Sequence, residues 1–301
     1  MVVGNGNVAV DVARMLALTA EELAPTDTTD EAIATIVGSG TREILMLGRR
    51  GPVQAAFTTP ELQELGELAG ADVTVDPADL ELDPASEAAL EGSTAITKRN
   101  LELLREYAAR EPAGKPRRIV LRFKASPVAI LGDGRVEAIE VVRNELVSDE
   151  RGGIRAVPTG ETETIPCGIV LRSVGYRGVE LPGVPFDAER CVIPNELGRV
   201  EPGMYCAGWI KRGPTGVIGT NKKDATETVE VLLDDARAGR LQPCGADAAA
   251  VDALLAERGA QVVTQQGWEA IDAVERARGE PLGRPRVKLC SWDELLAAAR
   301  K

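Results

Sequence analysis

A glycine-rich turn lies near the start of the sequence, with small residues at Gly4, Gly6 and Ala9. This spacing is typical of a turn between a strand and a helix that holds the pyrophosphate of a dinucleotide. Gly4 would allow a sharp exit from the strand, Gly6 would let the backbone approach a pyrophosphate, and Ala9 would keep the helix close to the sheet. The same spacing also occurs in plain strand-to-helix corners, so the turn alone is weak evidence.

The helix after the turn is predicted to bury one apolar stripe, formed by Val8, Val12, Met15 and Leu16. Packing along this stripe would fix the helix N-terminus, whose unpaired N–H groups favour an anion. The turn and the helix together predict a phosphate-binding site.

Two arginines, Arg49 and Arg50, follow the second predicted strand at residues 42–47. The end of this strand is where the adenosine ribose of a dinucleotide lies, and an acidic residue there binds the 2′-hydroxyl of NAD. Arginine instead accommodates the 2′-phosphate of NADP. Asp27 and Asp30 lie nearer the usual acidic position, but they stand in a Pro/Thr/Asp-rich stretch with no strand before it. The arginine pair therefore predicts NADP(H), with an exposed turn as the alternative.

The composition excludes several kinds of chemistry. The 301 residues include no histidine, which excludes catalytic triads and cysteine–histidine pairs. The five cysteines form no Cys-x-x-Cys pair, which argues against a disulfide scaffold, a metal site, an iron–sulfur cluster and a dithiol redox centre. Redox chemistry would therefore depend on a bound organic cofactor. The net charge of −12 disfavours nucleic acid as a partner.

The length predicts two domains, and 44% hydrophobic residues suffice for their cores. No segment is long and apolar enough to cross a bilayer, and no signal peptide precedes the first strand. We therefore expect no membrane association and a cytoplasmic location.

Hydrophobic periodicity and capping residues predict the remaining elements. Helices are expected over residues 29–37, 59–65, 95–110, 221–239, 246–258, 267–278 and 291–301. Strands are expected over residues 117–124, 136–144, 168–176 and 203–209. At the helix over 59–65, Thr59 is expected to be the cap and Pro60 the first helical residue. The combination indicates an α/β fold.

A second glycine-rich loop follows the last predicted strand, over residues 208–221. Gly216 and Gly219 would let backbone amides contact a ring or a phosphate. Trp209 offers a flat face on which an aromatic cofactor could stack. The alternative is a surface loop anchored by a buried tryptophan.

With these motifs the chain resembles the adrenodoxin-reductase-like family of ferredoxin–NADP+ reductases. The motifs that carry the resemblance are GNGNVAVDVAR at 4–14, GRRGP at 48–52, TTPELQEL at 58–65, GWIKRGPTGVIGTNKKDA at 208–225 and GRPRVKL at 283–289. The resemblance covers essentially the whole chain. It implies an FAD enzyme that takes a hydride from NADPH and passes single electrons to a ferredoxin-like iron–sulfur protein.

The resemblance also implies roles for individual residues. For NADP the implied contacts are the pyrophosphate turn at Asn5, Gly6, Asn7 and Val8, the 2′-phosphate clamp of Arg49 and Arg50, and Glu61. For the flavin the implied contacts are Gly208, Trp209, Gly216, Val217 and Ile218, with Gly216 also near the nicotinamide. Glu64 resembles an acidic residue that family members use in proton handling near the flavin, with a solvated helix carboxylate as the alternative.

The chain departs from the family in one respect. In the family, an FAD-binding half with its own glycine turn precedes the NADP domain, and no second turn of this kind is found here. We therefore expect a Rossmann-like NADP-binding domain over 1–173 and the C-terminal half of a Rossmann-like FAD-binding domain over 174–301. On this hypothesis the N-terminal FAD half is missing, and tight FAD binding by this chain alone is doubtful.

Two alternatives to the reductase remain open. One is a non-catalytic NADP-binding fragment that needs a separate FAD half. The other is an electron-input flavoprotein like the small subunit of glutamate synthase, although such relatives usually have an acidic residue where Trp209 stands. A ferredoxin is acidic, so its docking surface should be basic. The candidates are Lys98, Arg99, Arg105, Arg110, Lys115, Arg117 and Arg118, with a solvated helix face and turn as the alternative.

Overall fold

The computed structural model describes residues 1–149, 153–216, 218–241 and 245–300. They divide into two units. Unit 1 comprises Met1–Val174 and Val263–Lys301, and unit 2 comprises Gly175–Val262. Unit 1 therefore includes residues that the sequence analysis placed in the second domain. The functional assignment of the domains over 1–173 and 174–301 stays a prediction.

Strands and helices alternate through the first part of the chain, and helices dominate the last part. The strands are β1 (Val2–Val3), β2 (Glu43–Leu47), β3 (Ala71–Val75), β4 (Arg117–Arg122), β5 (Ala125–Leu131), β6 (Ala138–Ser148), β7 (Ile154–Pro166), β8 (Leu171–Arg172), β9 (Arg199–Glu201) and β10 (Met204–Tyr205). The helices are α1 (Asn7–Ala17), α2 (Ala20–Leu23), α3 (Asp30–Gly38), α4 (Thr59–Glu67), α5 (Pro84–Glu91), α6 (Ala95–Ala109), α7 (Trp209–Arg212), α8 (Ile218–Arg237), α9 (Ala248–Glu257), α10 (Gln265–Gly279) and α11 (Trp292–Ala299). Short 3-10 turns lie at Pro52–Gln54, Pro77–Leu80 and Glu280–Leu282. No helix within the described part of the chain has the length and apolar character needed to cross a membrane.

Five parallel strands form the central sheet of unit 1, in the order β3-β4-β2-β1-β8. Residues 44–47 are buried consecutively, as expected for a strand that is covered on both faces. β1 lies between β2 and β8, with Val2 opposite both Met46 and Leu171. The strand order therefore reverses at β1, and open α/β sheets bind ligands at the carboxyl end of the strands at such a point.

Two apolar cores lie against the two faces of this sheet. One contains Val2, Ile44 and Met46 together with side chains of α1, α4 and α6. The other contains Val3 and Leu45 together with side chains of β5 and β6. Because successive side chains of a strand point to opposite faces, consecutive apolar residues supply both cores. Unit 1 therefore has three layers: helices, the parallel sheet, and an antiparallel sheet of order β5-β6-β7.

The buried face of α1 differs from the predicted stripe. Its buried residues are Ala9, Val10, Ala13 and Ala17, whereas Val8 in the first turn is 43% exposed. Val12 and Leu16 of the predicted stripe are partly buried against the same core, whereas most of the fully buried positions of the helix are alanines. Alanine at these positions lets the helix backbone lie close to the sheet, which agrees with the role predicted for Ala9.

The strands of unit 2 are shorter than predicted. The last predicted strand, over 203–209, is reduced to β10, which pairs with β9. The buried carboxylate of Asp235 on α8 accepts hydrogen bonds from the Arg199 guanidinium at 2.6 and 2.7 Å and from the Tyr205 hydroxyl at 2.7 Å. Arg240 adds a further donor at 2.7 Å. The Arg199 hydrogen bonds, followed by that of Tyr205, hold the pKa of Asp235 far below its usual value.

A C-terminal segment completes unit 1. Arg284 donates hydrogen bonds to the carbonyl oxygens of Thr26 and Thr28 at 3.4 and 2.7 Å and forms an ion pair with Asp30. These contacts join residues more than 250 positions apart in the sequence. The segment around Arg284 is therefore bound to the loop before α3.

Candidate functional site

The glycine turn lies at the carboxyl end of β1. Gly4 has a φ of +140°, and a Cβ there would lie 2.1 Å from the carbonyl oxygen of Ser173. Gly4 is therefore required by the fold itself. Gly6 is different, because a Cβ there would meet only the side chain of Ala56, at an ordinary contact distance of 3.8 Å. The space beside Gly6 is open to a ligand.

The N-terminus of α1 faces this open space without a capping side chain. Gly6 is the N-cap residue, and the first turn carries no acidic residue. The side chain of Asn7 is turned away from capping, because its Oδ1 accepts the Thr58 N–H at 2.8 Å. The carbonyl of Asn5 accepts the Ala56 N–H at 2.9 Å. The helix N-terminus therefore keeps the partial positive charge that suits a phosphate.

Arg49 and Arg50 lie next to the turn, at the end of β2. A Cβ at Gly48 would lie 2.8 Å from Nδ2 of Asn5, so the Asn5 side chain packs across the end of this strand. Arg49 is exposed and Arg50 is partly buried. Burial, followed by the neighbouring charge of Arg49, lowers the pKa of Arg50. Neither guanidinium has a partner among the residues that the structure describes, so the pair is available to a ligand phosphate.

A cavity of about 200 Å³ lies beside the two arginines. Its lining includes Asn144 of β6, whose Nδ2 donates to the carbonyl oxygen of Arg49 and to Oγ of Ser126, both at 2.8 Å. Oδ1 of Asn144 is buried and has no hydrogen-bond partner within the described ranges. Asn144 therefore holds the arginine loop in place. Sequence reasoning missed it, and the only signal was an asparagine within an alternating apolar strand.

Glu61 and Glu64 lie one turn apart on α4, whose N-cap is Thr58. The prediction that Thr59 caps the helix is wrong by one residue. Oε2 of Glu61 is buried without a hydrogen-bond partner in the part of the chain that is described. Oε2 of Glu64 lies 3.6 Å from Nε of Arg14 on α1, and more than half of its side chain is exposed. Glu61 therefore keeps an acceptor for a ligand, whereas Glu64 lies at the surface.

The tryptophan loop belongs to unit 2. Trp209 is the first residue of α7 rather than the last residue of a strand, and it is 40% exposed. Its ring centroid lies 5.4 Å from that of Tyr176, with the planes at 31°. Gly208 precedes it at a φ of +76°, and its N–H donates to the carboxylate of Asp224. The exposed indole is available for stacking.

The other three predicted residues of this loop lie between α7 and the start of α8. Gly216 stands in the connecting segment, where a Cβ would lie 2.8 Å from the side chain of Thr220. Val217 lies outside the described residues. Ile218 begins α8. Their contacts with a flavin stay a prediction.

A buried ion cluster supports the Trp209 turn. Nζ of Lys211 lies 3.2 Å from Oδ1 of Asp224 and 2.6 Å from Oε1 of Glu227, and it donates to Oγ1 of Thr228 at 3.2 Å. Burial alone would raise the pKa of Asp224, but the Gly208 N–H and the Lys211 cation outweigh it and lower that pKa. The cluster thus fixes the backbone before Trp209. Sequence reasoning gave it no role, although Asp224 falls within the TNKKDA motif.

The basic residues proposed for ferredoxin docking are mostly engaged within unit 1. Arg99 pairs with Glu102 and Glu106, and Arg118 pairs with Glu43. Backbone carbonyl oxygens accept hydrogen bonds from Lys98, Arg110, Lys115 and Arg117. Several of these contacts are exposed, as expected for the alternative of a solvated helix face and turn, and ferredoxin docking at these residues stays a prediction.

The fold and the site together define a protein of the α/β, Rossmann-like class, with a glycine turn at the reversal of strand order. The predicted α/β, Rossmann-like class is confirmed. No protein-family model matches the chain. Individual known proteins do match it.

The NADPH-ferredoxin reductase FprA of Mycobacterium tuberculosis (strain ATCC 25618 / H37Rv) is 51% identical over 305 residues, which cover 98% of this chain and 66% of that protein. The mitochondrial NADPH:adrenodoxin oxidoreductase of Homo sapiens is 42% identical over 314 residues, which cover 98% of this chain and 62% of that protein. The solved structure of Mycobacterium tuberculosis FprA in complex with NADPH matches with a TM-score of 0.90 at 49% identity, over 100% of this chain and 67% of that chain. The chain belongs to this reductase family, as the sequence motifs predict, and it spans about two thirds of the length of these relatives.

Proposed function

We propose that the chain binds NADPH and functions as an FAD-dependent ferredoxin–NADP+ reductase. The enzyme would pass single electrons to a ferredoxin-like iron–sulfur protein. One observation carries the proposal: the open backbone cradle at Gly6 lies beside two guanidinium groups, Arg49 and Arg50, that have no partner among the described residues. The names of the relatives, NADPH-ferredoxin reductase and NADPH:adrenodoxin oxidoreductase, support the same activity.

The residues of unit 1 fit NADP(H). The N-terminus of α1 and the uncovered face of Gly6 would hold the pyrophosphate, together with the backbone of Asn5, Asn7 and Val8. Arg49 and Arg50 would bind the 2′-phosphate. The buried, unpaired Oε2 of Glu61 would accept a hydrogen bond from a ligand hydroxyl or amide, because a buried acceptor without a donor is costly. The pyrophosphate and the 2′-phosphate of the ligand thus each have a matching group on the chain.

The residues of unit 2 fit a flat aromatic ring. Trp209 presents an exposed indole. Gly208 directly before it and Gly216 in the same loop have no side chains. We propose that these residues, with Val217 and Ile218, contact the isoalloxazine of FAD. When bound, the flavin supplies a two-electron acceptor that releases electrons one at a time.

Glu64 is proposed to exchange protons at its exposed carboxylate. Its side chain is more than half exposed, which gives the carboxylate access to water, and Nε of Arg14 lies 3.6 Å away. The opposing view, a solvated carboxylate without a catalytic role, predicts that Glu64→Gln leaves the dependence of turnover on pH unchanged.

The prediction that the family's N-terminal FAD-binding half is missing gains no support from the comparisons, which match 98% of the chain, and it stays a prediction. The reductase names favour the proposed function over a non-catalytic fragment and over a glutamate synthase subunit. Flavin absorbance of the purified protein distinguishes the fragment from the other two.

The test combines binding with turnover. Calorimetry should show NADPH bound at least about tenfold more tightly than NADH, because the 2′-phosphate adds charge-assisted hydrogen bonds. Arg49→Ala with Arg50→Ala should remove this preference, while Arg135→Ala should not, because Arg135 pairs with Glu137 at the exposed turn between β5 and β6 and does not line the arginine cavity. With FAD in large excess, so that tight binding of FAD by this chain is not required, the protein should reduce a plant-type ferredoxin with NADPH. Equal affinity for NADH and NADPH, or NADPH binding without any turnover, would contradict the proposal.

A further inference from the structure

We infer that Arg155, on the antiparallel strand β7, is a third cation of the 2′-phosphate site and contributes to the preference for NADPH over NADH. The inference rests on the proposed function and extends it to an element outside the nucleotide-binding sheet. Arg155 lines the cavity of about 200 Å³ together with Arg49, Arg50, Ser126 and Asn144.

The three arginines line the same cavity. Their guanidinium groups form no ion pair or hydrogen bond with any described residue. Three like charges around one cavity repel one another unless an anion lies between them. Arginine is well suited to a phosphate because its planar fork donates two parallel hydrogen bonds.

The position of Arg155 is fixed by the antiparallel sheet. β6 and β7 pair with Val147 opposite Arg155, and a register shift lies between Val142 and Asn144. Bulges of this kind turn a side chain into a new direction. At the bulge, Asn144 is buried and ties the carbonyl of Arg49 to the hydroxyl of Ser126. The same sheet therefore positions the Arg49 loop and supplies Arg155.

The buried Oδ1 of Asn144 is an independent sign of a ligand or water in this place. It has no hydrogen-bond partner among the described residues, although Asn144 is only 3% exposed. Buried acceptors are nearly always paired in native structures. An acceptor beside three cations suits a phosphorylated ribose. The ribose hydroxyl next to the phosphate would donate a hydrogen bond to Oδ1 of Asn144, and the phosphate would accept hydrogen bonds from the guanidinium groups.

The size of the cavity agrees with a phosphoryl group rather than a whole nucleotide. Pockets for whole ligands range from about 300 to 1,000 Å³, and a water molecule takes about 30 Å³ of liquid volume. A cavity of about 200 Å³ is smaller than such pockets and has room for a phosphoryl group. The rest of the dinucleotide would extend to the turn at Gly6.

The experiment compares 2′,5′-ADP with 5′-ADP, two probes that differ only in the 2′-phosphate. Arg155→Ala should weaken 2′,5′-ADP about five- to tenfold by calorimetry and leave 5′-ADP unchanged. Arg155→Lys should restore part of the loss, because lysine keeps the charge without the planar fork. Arg135→Ala is the matched control: it removes the same charge from an exposed position at the β5–β6 turn. It should change neither affinity.

The outcomes separate this inference from the proposed function. If Arg155→Ala binds 2′,5′-ADP as the wild type does while Arg49→Ala loses affinity, the inference is wrong and the proposed function stands. A similar loss for both probes, or the same loss in Arg135→Ala, also overturns it, since the effect would then be general electrostatics. If the wild type does not prefer 2′,5′-ADP over 5′-ADP, both fail. Because Arg155 is exposed, a thermal melt should show all variants folded.

Discussion

Replacing Gly6 by alanine should separate ligand binding from folding. A Cβ at Gly6 meets the protein only at 3.8 Å, from Ala56, and the backbone there has a φ of −108°, which alanine adopts without strain. Alanine is a poorer N-cap than glycine, and it also restricts the unfolded chain. These effects oppose each other, so the free energy of unfolding should change by less than about 0.5 kcal/mol.

The loss in binding should be much larger. The added methyl group stands where the backbone would approach the pyrophosphate, so at least one charge-assisted N–H hydrogen bond to a phosphate oxygen should be lost. Such a bond contributes about 1.5–3 kcal/mol, which corresponds to an affinity for NADPH lower by a factor of about 10 to 150.

Gly4→Ala is the matched variant, with the opposite outcome. At a φ of +140° and 2.1 Å from the Ser173 carbonyl oxygen, the new Cβ both strains the backbone and clashes with the end of β8. Strain and overpacking together should lower the free energy of unfolding by roughly 2–6 kcal/mol. Urea denaturation measures stability and isothermal calorimetry with NADPH measures affinity. The reasoning is refuted if Gly6→Ala binds NADPH like the wild type, or if it is destabilised as much as Gly4→Ala.

Three further predictions concern carboxylates. Asp235 has a folded-state pKa below its unfolded value, so its stabilising contribution is present above about pH 4 and is lost as the pH falls through the folded pKa. In an acid titration, the stability of Asp235→Asn should therefore decrease less below pH 4 than that of the wild type. An equal decrease would contradict this prediction. Asp224→Asn should destabilise unit 2 by about 2 kcal/mol, because it leaves the buried Lys211 with Glu227 as its remaining carboxylate partner. A red shift of tryptophan emission should accompany the loss of stability. Unchanged emission would argue that the Lys211–Asp224 pair does not support the turn at Trp209. Glu61→Gln should weaken NADPH about tenfold without changing the melting temperature; unchanged affinity would show that the unpaired oxygen contacts only water.

The sequence predicts those elements whose signal is local. The helices over α3, α6, α8 and α10 have clear periodicity and caps, and their bounds agree with the prediction to within a few residues. The strand β3 escaped prediction because its five residues include Asp72 and Thr74 and end beside an acidic segment. Residues 168–176 include only two that pair as a strand. Pairing with distant strands decides such cases, and a single sequence does not contain that information.

The antiparallel layer was only partly predicted for a related reason. β6 shows the apolar alternation of a half-buried strand, whereas β5 contains a proline and β7 carries mostly exposed polar residues. β5 and β7 are the edge strands of this sheet, and edge strands are rich in such residues. Their strand character depends on pairing with β6, which lies between them.

Some residues of the candidate site could be predicted from the sequence, and others could not. Gly4, Gly6, Arg49 and Arg50 could be identified because each motif is contiguous, and the fold brings the motifs together at the ends of β1 and β2. Other contributors become visible only when distant segments meet. These are Asn144, Arg155 and the pair of Lys211 with Asp224. Their residue types carry no signature of their own, since the same residues on an exposed strand or helix would be ordinary surface groups.

The interrupted order of unit 1 has a consequence for its synthesis on the ribosome. The segment that carries Arg284 leaves the ribosome only after all of unit 2, although its hydrogen-bonding partners at Thr26 and Thr28 have been made much earlier. Arg284 and Thr28 are 256 residues apart, so at translation speeds of about 5–20 residues per second this delay lasts about 13 to 50 seconds. During that time the loop before α3 is without the hydrogen bonds and the ion pair that Arg284 supplies.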